Sequence, residues 1–322
     1  MLCKQQFSYP VRYLGIPLLA SRLNVCHYSP LLSRVGGYIQ NWHRKSLSYA
    51  GRLELIRGVI GGMVNFWLGM FPLPNTVVDR IDAFSRNFLW GKSDLGRKKP
   101  LVAWKLVCAP KDEGGLGLHN LRCWNNALLT RILRDIAVDK QSLWIRWIHH
   151  IYLRGTSAWH YRCANSDSAL VKRLFHIRDM MLVKAGGIDQ AEMMFDCWTK
   201  NGRFDPGKAY DCFWTTSPRK FWAKVIWNSS IPPRESFCLW LAANKKCLTL
   251  DRAPFLNKGS VCCFCNQELE TNDHLYFTCP TTLKVWAEIR DWAKFPRRNV
   301  SLLGTLNSIV HHRASTGVQG KI

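Results

Sequence analysis

Apolar positions recur along most of this chain at three- and four-residue steps, the spacing that gathers side chains on one face of an α-helix. From Ser29 onward, Leu31, Leu32, Val35, Tyr38, Ile39 and Trp42 follow it, with Gly36-Gly37 weakening the middle. A second helical stretch begins near Ser48 and carries Leu53, Ile56, Val59 and Ile60 on one side. A third, Val77 to Trp90, follows the Pro72-Leu73-Pro74 break, with Val78, Ile81, Phe84, Phe88 and Leu89 as its stripe. Further helices are expected at 124–136, 142–153 and 168–184, the last stopped by Gly186-Gly187. Ahead of them all, Tyr13 to Leu18 reads as a short strand ended by Pro17.

The texture changes after Gly187, which places a boundary at about 187–191. Asp196 to Phe204 alternates as a strand pair would, around a Lys200-Asn201-Gly202 turn. Helices are expected at 206–214 and 220–227, and Ile231-Pro232-Pro233-Arg234 reads as a rigid extended link. Residues 235–243 have the composition of a buried helix. A final helix, 281–294, is expected to lay Leu283, Trp286 and Ile289 on the segment before it. The expected fold is mostly α: a helical bundle over 1–91, a helical connection over 92–190, a small α+β domain over 191–294 and a polar tail over 295–322.

Within that small domain lies Cys262-x2-Cys265-x8-His274-x4-Cys279. A two-residue gap lets a tight knuckle aim two thiolates at one point, and the later His and Cys complete a tetrahedron suited to Zn²⁺. Four protein ligands leave no open position for water, so the expected zinc is structural rather than hydrolytic. Cys263 is a spare thiol beside the knuckle. Other groups offer weaker chemistry. Asp79 and Asp82 sit among arginines and read as a solvated face. Gly114-Gly115-Leu116-Gly117 lacks the Lys-Ser/Thr of a phosphate loop and reads as a turn in tight packing. His149 and His150 are adjacent, point about 100° apart, and read as surface or boundary residues. The tryptophans of the middle region read as core rather than as base-stacking platforms.

Charge changes the picture. There are 45 Lys and Arg against 22 Asp and Glu, a formal net charge of +23. Such an excess repels itself unless a polyanion neutralises it, so nucleic acid is the first partner to consider. No stretch is apolar for long enough to span a bilayer, and no membrane partner is expected. The 13 cysteines follow no disulfide framework, and the first residues lack the apolar core of a secretion signal. A reducing compartment, nucleus or cytoplasm, is the expectation.

A resemblance joins these features. Tyr13-Leu14-Gly15-Ile16-Pro17-Leu18, Trp42, Leu47-Ser48-Tyr49-Ala50-Gly51-Arg52, Phe71-Pro72-Leu73-Pro74 and Phe88-Leu89-Trp90-Gly91 come in order. Val102-Ala103-Trp104, Val107-Cys108, Pro110-Lys111 and Glu113-Gly114-Gly115-Leu116-Gly117 follow. The series resembles the region after the catalytic palm in reverse transcriptases of plant LINE-type, non-LTR retrotransposons: the thumb and the connection beyond it. Lys224-Val225-Ile226-Trp227, Pro232-Pro233-Arg234, Trp240-Leu241-Ala242, Leu248-Thr249-Leu250-Asp251-Arg252 and His274-Leu275-Tyr276-Phe277 resemble the zinc-binding domain of the same elements. In that family, polymerisation depends on paired aspartates upstream, yet no Asp-Asp pair occurs in this sequence. Nor is a ribonuclease H domain expected before Ile322. The resemblance therefore implies a zinc-stabilised, non-catalytic fragment that binds RNA or DNA. Arg52, Arg57, Arg97, Lys98, Lys99, Arg234 and Lys258 are its candidate phosphate contacts. The alternatives are a zinc-stabilised protein-interaction module, or a decayed element product with no selected role.

Overall fold

A computed structural model describes residues 11–13, 16–18, 23–91, 100–252, 261–293 and 301–315. Its elements begin with the strands β1 (Val11–Tyr13) and β2 (Ile16–Leu18) and the helices α1 (Ser29–His43), α2 (Tyr49–Leu55), α3 (Gly61–Leu68), α4 (Asn75–Trp90) and α5 (Trp104–Cys108). Next come α6 (Leu121–Ala137), α7 (Leu143–Ile148), α8 (Ala169–Ala185) and α9 (Ile188–Cys197), then a hairpin of β3 (Thr199–Lys200) and β4 (Arg203–Phe204). The rest are α10 (Pro206–Phe213), α11 (Ala223–Ile226), α12 (Pro233–Ala243), α13 (Pro280–Ala293) and α14 (Leu302–Ser315). The fold is mostly α, and the described strands form two antiparallel two-stranded hairpins.

By packing, the chain divides into two bodies. One is drawn from residues up to 46, from 53–91 and from 119–216; the other from 47–52, 100–118 and residues from 217 onward. These lines differ from the consecutive segments read from the sequence.

In the first body, α1 packs on α4, burying Leu31, Val35 and Ile39 against Val77, Val78, Ile81 and Phe88. Gly36-Gly37 does not interrupt α1, and a Cβ at Gly36 would meet the Phe84 ring at an ordinary contact distance of 3.9 Å. Residues 53–55 of α2 run through a π-helical turn, Ile56–Ile60, into α3 without a break. The glycines at 61 and 62 are therefore helical, held there by buried Ile60, Val64, Trp67 and Leu68.

α6 is the axis of this body. Asn120 caps it, its side chain accepting from Arg122 N and Cys123 N, and α3, α8 and α10 all pack on it. Among its buried polar groups is Asn125. Its amide nitrogen donates to Leu68 O at 2.7 Å and Phe71 O at 2.9 Å, and its Oδ1 accepts from Leu73 N at 3.1 Å. One side chain thus satisfies the chain ends where α3 stops and turns toward α4. α8 is capped by Ser168, whose hydroxyl accepts from Val171 N, and ends as expected at Gly186, φ +85°.

Several expectations need correction. Tyr13 to Leu18 is not one strand: β1 and β2 pair with Arg12 opposite Pro17, and proline is tolerated because a two-stranded hairpin has only edges. Asp196 and Cys197 belong to α9, and the hairpin turns at Asn201 and Gly202, both with positive φ. The 220–227 helix shrinks to α11. The extended link at 231–234 ends at Pro232, because Pro233 takes the first position of α12, where its missing N–H costs nothing. The tail is not simply polar, since α14 buries Leu306 and Thr305.

In the second body, Gly114 to Gly117 forms the expected tight turn. Gly114 has φ +92°, and a Cβ there would meet Lys220 Cγ at 2.9 Å and the Trp222 ring at 3.2 Å. The Trp240 indole, fully buried on α12, donates to Gly114 O at 2.8 Å. Tyr49 stacks on Phe237 at 5.6 Å and 15°.

Candidate metal centre

Cys262 and Cys265 lie on a knuckle. Cys262 N donates to Glu268 O, and Asn266 N returns to Cys262 O at 2.9 Å. Asn266 takes φ +53°, the left-handed conformation that asparagine tolerates, to close the turn. A bridge between Val261 and Leu269 clamps its base. His274 opens a π-helical turn, His274–Thr278, and Cys279 stands just ahead of α13.

All four ligand atoms lie within 4.8 Å of one another. Cys262 Sγ is 3.9 Å from Cys279 Sγ, and Cys265 Sγ is 3.3 Å from His274 Nε2. A tetrahedral Zn²⁺ with the usual bond lengths places two sulfurs about 3.8 Å apart and a sulfur and a nitrogen about 3.5 Å apart. The four residues fit that ion. Cys262, His274 and Cys279 are buried and Cys265 is half-buried; exposed Cys263 stands outside the four.

The surroundings favour the thiolate at two of the three cysteines. Backbone N–H groups of Glu268 and Gln267 pull Cys265 down to about 6. Burial pushes Cys279 up, but the N–H groups of Thr282 and Thr281 in the first turn of α13 outweigh it and leave the thiol below its ordinary value. Cys262 is raised, chiefly by burial. For His274, burial lowers the imidazole pKa, yet the neighbouring Cys265 and Glu268 raise it overall.

Two residues to which the sequence reading gave no role complete the site. Glu268 Oε2 lies 2.9 Å from His274 Nδ1, so the carboxylate holds the ring nitrogen that faces away from Cys265. Buried Glu270 accepts from Cys263 N and Leu250 N, both at 3.1 Å, and ties the knuckle to the segment before it. Acidic residues near a cysteine knuckle were the available signal. On the far side, Trp286 stacks on Phe277 at 5.7 Å and donates to Tyr276 O at 2.7 Å. Ile289, expected to lie on the same surface, is exposed instead.

The candidate phosphate contacts divide. Arg57 is ion-paired with Glu54 on the same helix. Arg52 lies over the Tyr49 ring at 5.8 Å, and exposed Arg234 follows Pro233 in the first turn of α12, one turn before Phe237. The Tyr49–Phe237 stack therefore ties the helices carrying Arg52 and Arg234 together. Arg97, Lys98, Lys99 and Lys258 lie outside the described residues. Asp79 is bound to Arg122 at 2.5 Å, which accounts for its charge. His149 Nε2 is 2.9 Å from Ile136 O and His150 is exposed.

Residues 204–286 match the family described as zinc-binding in reverse transcriptase. The chain is 24% identical over 356 aligned positions to an Arabidopsis thaliana protein named "Putative ribonuclease H protein", covering 85% of this chain and 57% of that one. It is 25% identical over 115 positions to an "Uncharacterized mitochondrial protein" of the same plant, covering 35% of this chain and 75% of that one. The chain thus spans little more than half the length of the first relative. The matched segment contains Cys262, Cys265, His274 and Cys279, so the chain carries a reverse-transcriptase zinc-binding domain and the metal its cluster suits is zinc.

Proposed function

We propose that this chain is a non-catalytic, nucleic-acid-binding portion of a retroelement reverse transcriptase of the LINE type, with zinc as a structural clamp. The observation that carries the reading is the closed Cys3His cluster inside the matched zinc-binding segment of a chain with a net charge of +23. Four protein ligands leave zinc no water to activate, so the ion supports folding and not hydrolysis. The sequence offers no Asp-Asp pair for two-metal phosphoryl transfer. Cations such as Arg52 and Arg234 then serve to grip phosphates in a nucleus or cytoplasm where thiols stay reduced.

Fluorescence anisotropy with labelled RNA and DNA over a salt series tests this. Affinity is expected to fall linearly in log–log form as salt rises, because each neutralised phosphate releases counterions. No nucleotide incorporation is expected from the chain alone. A negligible signal at low salt would favour a protein-interaction module instead.

A further inference from the structure

The segment 143–153, made of α7 and the π-helical turn that continues it, is apolar on two sides, and only one side is packed. Ile145, Ile148 and Leu153 are buried and hold it against the rest of the first body. On the opposite side Leu143, Trp147 and Ile151 recur at four-residue steps with Trp144 beside them, and they are 85%, 49%, 41% and 39% exposed. Arg146, His150 and Arg154 fill the alternate places on that side, and all three are exposed. Of the nearby carboxylates, Asp135 is engaged by Arg134 and Lys140, and Asp139 Oδ1 lies 3.6 Å from His149 Nε2. Arg154 gives one N–H to Ile151 O at 3.1 Å and keeps its charge at the surface. Contrary to the sequence expectation, these two tryptophans are not core.

Helices that are apolar all round are normally buried, and a contiguous exposed apolar patch marks an interaction surface. We propose that this face is a stacking platform for single-stranded nucleic acid. Trp144 and Trp147, one turn apart, each take a base, and Arg146 and Arg154 take the phosphates between. The inference rests on the nucleic-acid reading given above. A protein-docking surface is depleted of charge at its centre, whereas here Arg146 stands one turn from Leu143 and Arg154 one turn from Ile151, so cations run along the exposed apolar row. That interleaving matches a polymer whose bases are aromatic and whose backbone is anionic. The Trp147 ring is fixed by Tyr152, edge to face at 5.6 Å and 78°. Bases inside a duplex are already stacked on one another, so the platform discriminates in favour of single strands.

The test uses the full zinc-loaded chain and the Trp144→Ala/Trp147→Ala variant, with a labelled single-stranded oligonucleotide and its duplex, by anisotropy across a salt series. The variant is expected to keep its thermal midpoint and its duplex affinity, and to lose about tenfold or more in single-strand affinity. Its salt slope should not change, because the slope counts phosphates and not stacked bases. Trp144→Phe/Trp147→Phe should restore most of the loss, and Arg146→Gln should reduce the slope by about one. Equal losses on single strand and duplex, or no loss on either, overturn the platform and leave the broader reading standing. If the wild-type chain binds neither polymer at low salt, both fall. If the double substitution instead abolishes self-association or binding to anionic vesicles while single-strand affinity stands, the face serves protein or lipid and the assignment is overturned.

Discussion

The two nitrogens of His274 have different jobs. Nε2 faces Cys265 Sγ, while Nδ1 is held 2.9 Å from the Glu268 carboxylate. That contact keeps the ring proton on Nδ1 and leaves the Nε2 lone pair for the metal. Glu268→Gln keeps an oxygen acceptor but removes the charge, and zinc affinity is expected to weaken by about 10-fold, at the low end of the usual range because Glu268 is largely exposed. Competition against a chromophoric chelator at fixed pH measures this, and unchanged affinity would make the contact incidental. Cys265→Ala removes a ligand outright, so zinc should be released and the second body should lose its cooperative transition, since binding and folding are coupled. A retained far-UV spectrum and thermal midpoint would contradict the structural role. The four ligands were legible in the sequence because a Cys-x2-Cys knuckle sets its own geometry. Glu268 was not, because its reach to His274 depends on a turn closed by Asn266 at positive φ, which spacing alone does not reveal.

Among the elements, long periodic helices such as α1, α4, α6 and α8 were readable because burying one stripe of side chains fixes both their phase and their extent. Short elements were not. α5 has too few turns for a period to stand out, and α11 keeps only one turn of the helix expected at 220–227. The periodic pattern also could not say which apolar side of 143–153 would be packed, because both sides qualify. α6 shows what does fix an element in place. Asn125 is buried among apolar residues and satisfies two carbonyls and one N–H where α3 ends. Asn125→Leu is similar in volume but leaves all three groups without that partner in a buried setting. About 3 kcal/mol of stability should be lost, given about 1–3 kcal/mol for an unsatisfied buried group and some relaxation toward water. Urea unfolding should show a lower midpoint with an unchanged slope; a shift below about 0.5 kcal/mol would mean that the α3 end finds other partners readily.

At the scale of the whole molecule, the zinc-binding body is discontinuous in sequence. Residues 100–118 contribute buried Val102, Val107, Cys108, Leu116 and Leu118 to a body whose other main part begins at 217. The join is specific: Trp240 donates to Gly114 O, and Lys220 N donates to Asp112 O at 2.8 Å. Helical periodicity is a local signal and carries no information on a pairing about 100 residues apart, so the sequence suggested consecutive domains. The consequence concerns the matched segment 204–286, which contains every metal ligand but none of residues 100–118. As an excised fragment it should still take up zinc, because the knuckle and the His274 turn are local. It should do so without a cooperative thermal transition, because the Trp240 indole and its apolar neighbours would face water. In the intact chain, Gly114→Ala should reproduce a milder form of this defect. A side chain at φ +92° is strained by about 1–2 kcal/mol before its contact with Lys220 and Trp222 is counted. Calorimetry separates the possibilities. A sharp, zinc-dependent transition in the excised segment would mean that the metal alone organises this body, and that the upstream insertion packs on a domain already formed.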